Sequence, residues 1–228
     1  MTLIKIRDLK KTYLEHGVEA PALRGINLEV DEGEFVAIAG PSGSGKTTLL
    51  NIIGGLDKPT SGSVIVDGVD LGALSKSALA DYRLRKVGFV FQSYNLIEVL
   101  TALENAEFVL LLQKVPKAER RARAKEVLEA MGMGEYLNKR PNRLSGGQQQ
   151  RIAVARALAH NPRIVLADEP TANLDSATAS GLLDMMREMN ERYGVTFVFS
   201  THDRLVMDKA KRVILLRDGV VVGDERKG

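Results

Sequence analysis

Cysteine and tryptophan are absent from the 228 residues, and histidine occurs only three times. Without cysteine there is no disulfide framework, no thiol nucleophile and no thiolate-ligated zinc or iron–sulfur centre. Also missing is the run of roughly 20 consecutive apolar residues that a membrane-spanning helix needs. The strongest stretch, Phe108 to Leu112, is broken at Gln113. The N-terminus places Lys5, Arg7 and Asp8 where a secretory signal would have its apolar core. The chain is therefore expected in the cytoplasm, unless another protein carries it to a membrane. Charge of one sign is scarce as well. Lys and Arg number 32 against 29 Asp and Glu, and a net +3 does not argue for nucleic acid. What remains is an ordinary globular composition, 44% hydrophobic and 27% charged. A chain of this size buries roughly 70–75% of its unfolded surface, so one large domain, or a domain with a subdomain, folds without staples.

The hydrophobic pattern divides the chain into thirds. At the N-terminus, Ile4 and Ile6 alternate with Lys5 and Arg7, and Ile26, Leu28 and Val30 with Asn27 and Glu29. Period-2 alternation predicts half-buried antiparallel strands. Phe35 to Ala39 is continuously apolar, as in a strand buried on both faces. Val64 to Val66 runs into the turn signal Asp67-Gly68. The middle reads as helical. Thr101 and Glu104 form a capping-box pattern opening Thr101 to Gln113, whose apolar residues exceed one core face. Pro116 suits a first helical position and Gly132 the end of the next helix. The basic residues between are read as a solvated face, with Glu119 and Arg123 paired at i, i+4. The last third returns to buried strands at Ile164 to Ala167, Thr196 to Ser200 and Val213 to Leu216, separated by helix-like stretches as in a parallel sheet. Asp218-Gly219 signals a type I′ hairpin turn.

Chemistry concentrates in three motifs and a few single residues. Gly40-Pro-Ser42-Gly43-Ser44-Gly45-Lys46-Thr47 matches G-x-x-x-x-G-K-[ST], after a buried strand and before an apolar helical segment beginning at Thr48. Glycines let successive N–H groups turn inward onto phosphate, Lys46 reaches the terminal phosphates, and the Thr47 hydroxyl suits Mg²⁺. Ile164 to Ala167 ends in Asp168 and Glu169. At the carboxyl end of a parallel strand Asp168 is placed to hold the metal, and Glu169, pointing the other way by strand alternation, to activate water. Ser145-Gly146-Gly147-Gln148 opens a helical stretch, as a capping box or as a second anion site. One nucleotide does not need two such loops from one chain, so a head-to-tail dimer in which each copy completes the other's site follows. His202 follows another buried strand and is read as a phosphate contact; Gln92 ends the apolar run from Val87 and is placed near water or Mg²⁺. Tyr13, assigned to a loop, has the ring to stack on adenine; His16 and His160 belong to no constellation.

Taken together, GPSGSGKTT (Gly40 to Thr48), Gln92, LSGGQQQR (Leu144 to Arg151), LADEP (Leu166 to Pro170), ANLD (Ala172 to Asp175) and STHD (Ser200 to Asp203) resemble, in order and nearly end to end, the ATP-binding subunit of an ABC transporter. The resemblance implies an α/β P-loop fold with a RecA-like, mostly parallel sheet, an N-terminal antiparallel β part and an inserted helical subdomain. The boundaries it implies are 1–92 and 162–228 for the core and 93–161 for the helices. It implies ATP and Mg²⁺ as ligands, Glu169 as catalytic base, His202 as the switch histidine, and Gln92 as the residue coupling the site to the helices. Thr47, Gln92 and Asp168 would hold the metal. Ser145, Gly146, Gly147, Gln148 and Asp175 would face a partner copy, and Tyr13 the adenine. An integral membrane subunit would dock near Gln92 and the helical subdomain, placing the chain on the cytoplasmic face of the membrane, with no nucleic-acid partner.

Leu49 to Val64 and Val87 to Asn105 are similar to the lipoprotein-releasing and macrolide-export group, with cell-division and peptide-resistance ATPases nearby. Ala172 departs from the glycine usual there. GTPases are excluded because the only Asn-Lys, Asn138-Lys139, runs into Arg140-Pro141 rather than a base-reading N-K-x-D. The stretch between Lys46 and Ser145 leaves no room for the long coiled coil of DNA-repair relatives.

Overall fold

The alternating N-terminal residues build a long hairpin, β1 (Thr2–Glu15) and β2 (Val18–Asp31), in a computed structural model that describes residues 1–15 and 17–227. His16 lies outside the described residues. Then come β3 (Phe35–Ala39), α1 (Lys46–Ile53), β4 (Ser61–Val66), β5 (Val69–Asp70), α2 (Lys76–Lys86) and β6 (Val87–Phe91). Helices α3 (Ala102–Leu112), α4 (Lys117–Ala130) and α5 (Gly146–Leu158) fill the middle. The chain closes with β7 (Ile164–Asp168), α6 (Ser176–Tyr193), β8 (Thr196–Thr201), α7 (Arg204–Lys209), β9 (Arg212–Arg217) and β10 (Val220–Arg226).

These strands make two sheets. The antiparallel sheet has the order β2-β1-β4-β5; the larger has the order β10-β9-β3-β8-β7-β6, parallel except for β10. One core lies between the sheets, where Ile4, Ile6, Ile26 and Leu28 of the hairpin meet Val36, Ile38 and α1. On the opposite face, Phe35, Phe197 and Phe199 pack with residues of α3 to α6. Their rings are fully buried, and burying such side chains is worth about 1.5–3 kcal/mol each. Asp218 and Gly219 both have positive φ, 48° and 78°, as a type I′ turn requires.

Three local expectations are corrected. Tyr13 is in strand β1, opposite Ala20, because the hairpin runs far past the alternating residues. Pro116 is the N-cap of α4, one residue outside the helix. Arg123 does not pair with Glu119: its guanidinium reaches Glu126 at 2.8 Å and lies 4.8 Å from the centre of the Tyr193 ring, where the face of α4 meets α6. Both possible pairs lie on the surface of α4 and are worth only a few tenths of a kcal/mol, so the added contact with Tyr193 from α6 decides for Glu126.

Candidate functional site

Strand register gathers the site. Ala39 pairs with Thr201, Asp168 with Ser200, and Phe91 with Asp168. The residues following β3, β6, β7 and β8 therefore emerge along one carboxyl edge of the parallel sheet, where open α/β sheets bind ligands. Gly40 to Gly45, Gln92, Glu169 and His202 all lie on that edge.

After β3 the chain wraps around its own helix start. Gly45 has φ 99° and caps α1 without a side chain. A Cβ there would meet the Ala22 carbonyl at 2.6 Å, so the position is closed to other residues on both counts. Lys46 is buried, and its Nζ donates to the carbonyls of Gly40 at 2.7 Å and Pro41 at 2.9 Å, folded across the loop. Ser44 is buried beside it, while Ser42 and Gly43 are exposed on the loop's rim. The Thr47 hydroxyl donates to Asp168 Oδ1 at 3.2 Å across 121 positions of sequence. A hydroxyl and a carboxylate meeting at the end of a phosphate-type loop are hard oxygen donors of the kind a divalent cation such as Mg²⁺ takes.

Glu169 breaks the expected alternation. Strand β7 ends at Asp168, and Glu169 turns left-handed at φ 46°. Such a conformation costs a side-chain-bearing residue on the order of 1–3 kcal/mol. The surroundings impose it: its N–H donates to the Ser200 carbonyl at 2.9 Å, its Oε2 accepts from the Thr201 hydroxyl at 3.3 Å, and its Oε1 lies 2.7 Å from His202 Nδ1. A carboxylate only accepts, so this contact assigns the proton to Nδ1 and leaves Nε2 toward solvent. His202, read as a phosphate contact, is thus first a partner of Glu169. Thr201 joins the group as well; its place beside His202 was the only sequence signal for it.

Tyr13 is half-buried beside the loop. Its hydroxyl donates to Asp57 at 2.8 Å, and Lys11 Nζ lies 4.7 Å from the ring centre. Burial, with the nearby Asp57 carboxylate, pushes the phenol's pKa up. Burial opposes ionisation of Asp57, but hydrogen bonds from Lys11 and Tyr13 outweigh it and hold that pKa below the usual value. Asp57 stands 44 positions from Tyr13, and nothing in the sequence pointed to it.

The second glycine-rich loop stands apart. Ser145 caps α5, accepting from Gln148 N–H at 3.3 Å while its own N–H donates to Gln148 Oε1 at 2.9 Å. Ser145 is exposed. A Cβ on Gly147 would meet the Thr178 methyl at 2.4 Å, so any larger residue there would force the Thr178 side chain or the α5–α6 contact to shift. Among the described residues no hydrogen bond joins Ser145, Gly146, Gly147 or Gln148 to the Gly40–Thr48 loop. Asp175 caps α6, and hydrogen bonds from Thr178 hold its carboxyl below the usual carboxylate range. Asn173 Nδ2 donates to the Gln92 carbonyl at 3.0 Å. Gln92 itself is exposed. His160 is buried under an apolar groove, which pushes its pKa down to about 4 and keeps it neutral.

A phosphate-type loop opening a helix, opposite a hydroxyl–carboxylate pair at the carboxyl edge of a parallel sheet, defines a P-loop nucleoside triphosphatase. Residues 23–172 match the family model described as ABC transporter, so the chain belongs to the ABC transporter family. It is similar to a macrolide export ATP-binding/permease protein, MacB, of Syntrophobacter fumaroxidans, at 48% identity over 97% of this chain and 31% of that one. A lipoprotein-releasing system ATP-binding protein, LolD, of Anaeromyxobacter dehalogenans is 46% identical over 97% of this chain and 93% of its own length. The solved ATP-binding cassette MJ0796, of Methanocaldococcus jannaschii, superposes with a TM-score of 0.91 at 47% identity. The match covers 99% of this chain and 100% of that one, a dimer in a post-hydrolysis state with ADP and Pi. The chain is accordingly an ATP-binding and ATP-hydrolysing subunit of the ABC type, and among the described residues no helix is long and apolar enough to cross a membrane.

Proposed function

We propose that two copies close head to tail around ATP and that the cycle of closure and hydrolysis drives a separate membrane subunit of the lipoprotein-releasing or macrolide-export type. In this reading the Gly40–Thr48 loop and Lys46 hold the phosphates, and Tyr13 stacks on the adenine. Thr47, Asp168 and Gln92 would hold Mg²⁺, which when bound neutralises phosphate charge. Ser145, Gly146, Gly147, Gln148 and Asp175 engage the nucleotide and seam of the other copy. Residues 1–92 and 162–228 act as the nucleotide-binding core, and 93–161 as the arm that moves against it.

The observation that carries the reading is the placement of Glu169. A left-handed backbone turn, the Ser200 carbonyl, Thr201 and His202 fix its carboxylate one residue beyond Asp168. A carboxylate so held accepts a proton from a water attacking the terminal phosphate, and His202 Nδ1–H orients it. Dimer closure is supported by the dimeric cassette MJ0796 and by the exposed, self-capped start of α5.

Docking of the membrane subunit is supported by a groove of about 430 Å³ between β6 and α3, lined by Leu56, Phe89, Phe91, Ile97, Phe108 and Leu112. Leu112 of its lining is 53% exposed, and the neighbouring Leu111 of α3 is 46% exposed, more apolar surface than a helix of the core alone would show. In this reading the chain works at the cytoplasmic face of the membrane, and a crosslink from Phe108 to a co-purifying membrane protein checks the docking face. For the chemistry, Glu169→Gln tests the reading: ATP affinity stays within about 3-fold while turnover falls at least about 100-fold. Wild-type turnover in that variant would refute the assignment.

A further inference from the structure

Helix α5 passes under the ends of β6 and β7, and one of its side chains touches both. Gln150 is fully buried. Its Nε2 donates to the Pro170 carbonyl at 2.7 Å and, more weakly, to the Phe91 carbonyl at 3.4 Å. Pro170 directly follows Glu169, and Phe91 directly precedes Gln92. The orientation of the amide is dictated, because the flipped group would set an oxygen against two carbonyl oxygens. Its Oε1 has no partner among the described residues. A buried acceptor left unpaired is unfavourable and needs a reason; a helix position serving only the core would be filled better by leucine or methionine. The donor half of the side chain is what this position uses.

A second side chain of α5 repeats the pattern. The Arg156 guanidinium donates to the carbonyls of Tyr94, at 2.9 Å, and of Asn95. Both residues are left-handed, φ 59° and 51°, just after Gln92. Helix α5 therefore grips the backbone on either side of Gln92 and immediately beyond Glu169, while its own first turn lies at Ser145.

We propose that Gln150 is a positioning residue for ATP hydrolysis. It ties the turn carrying Glu169 to the helix whose start engages the other copy's nucleotide. Five residues of helix, roughly 7.5 Å, separate Ser145 from Gln150. Seating of Ser145 on the partner's nucleotide then sets the position of the carboxylate in Ser145's own chain. The inference rests on the roles proposed above for Glu169 and Ser145.

Steady-state ATPase kinetics of Gln150→Leu, Gln150→Glu and Glu169→Gln test it. Leucine removes the donor while keeping most of the volume. Gln150→Leu lowers kcat about 10-fold or more, since small misplacements of a reacting group are costly, and leaves KM for ATP within about 2-fold. Gln150→Glu separates positioning from packing. Ionised, the carboxylate repels both carbonyls; protonated, which burial favours, it donates one O–H to Pro170. Its kcat relative to the parent therefore rises at least about 5-fold from pH 8 to pH 6. Parental kcat in Gln150→Leu, or a flat ratio across pH in Gln150→Glu, overturns the inference while an inactive Glu169→Gln leaves the proposed function standing. Parental turnover in Glu169→Gln overturns both.

Discussion

Two helices of this molecule begin in glycine-rich loops, and they begin in opposite ways. Helix α1 starts at Gly45, left-handed and without a side chain to cap it. Helix α5 starts at Ser145, capped reciprocally by Ser145 and Gln148. The first four N–H groups of any helix need partners. Two of those at the start of α5, on Ser145 and Gln148, find them in the reciprocal cap, whereas among the described residues those of Gly146 and Gly147 find none. Those of α1 receive no side chain, and Lys46, buried over the same loop, turns to backbone carbonyls. One helix start has no side-chain cap; the other is partly self-capped, and in the proposed reading it faces the other copy.

The largest effect should come from the uncapped start. Lys46→Ala removes the only lysine of the phosphate loop and lowers ATP affinity at least about 100-fold, as a charge-assisted phosphate contact predicts. Unchanged binding of a fluorescent ATP analogue would break the comparison at its first term. Ser145→Ala comes next. It removes an N-cap worth about 1 kcal/mol, lowering Tm by about 2–4 °C. It also lowers turnover about 10-fold while ATP affinity of the single chain stays constant. Equal losses in affinity and turnover would make α5 part of the same chain's site. The smallest effect belongs to α3, whose Thr101–Glu104 box caps a helix with no assigned ligand. Thr101→Ala costs about 1 kcal/mol and leaves kcat unchanged.

That box also carries a pH signature. Hydrogen bonds from the Thr101 backbone N–H and hydroxyl hold the Glu104 carboxyl below the usual carboxylate range. A lowered folded-state pKa stabilises above the unfolded value, about 4.3, and the contribution fades as pH falls through the folded value. Glu104→Gln therefore destabilises at pH 7, and the difference shrinks as pH falls below the unfolded value, measured by denaturant melts of both forms.

The comparison also marks what was legible in the sequence. Capping boxes are local, so Thr101–Glu104 and Ser145–Gln148 formed as read. Continuous apolar runs became the parallel strands because both faces of that sheet are covered. The long reach of β1 was not legible, since past Leu9 its apolar alternation stops and only cross-strand pairing holds it. Nor was the direction of Glu169. Alternation ends with β7 at Asp168, and Glu169 beyond it is held by a left-handed turn tied to Ser200 and His202, over 30 positions away. Gln150 looked like one glutamine in a polar run; its two carbonyl partners sit 20 and 59 positions distant. Contacts of that separation leave no trace in local pattern.

The claim that α5 serves the other copy is tested most directly by size-exclusion chromatography of Glu169→Gln with ATP, alone and combined with Ser145→Arg. The account predicts a dimer for the single variant that reverts to monomer in the double variant, with ATP still bound to each chain. A double variant that remains dimeric with ATP would contradict it.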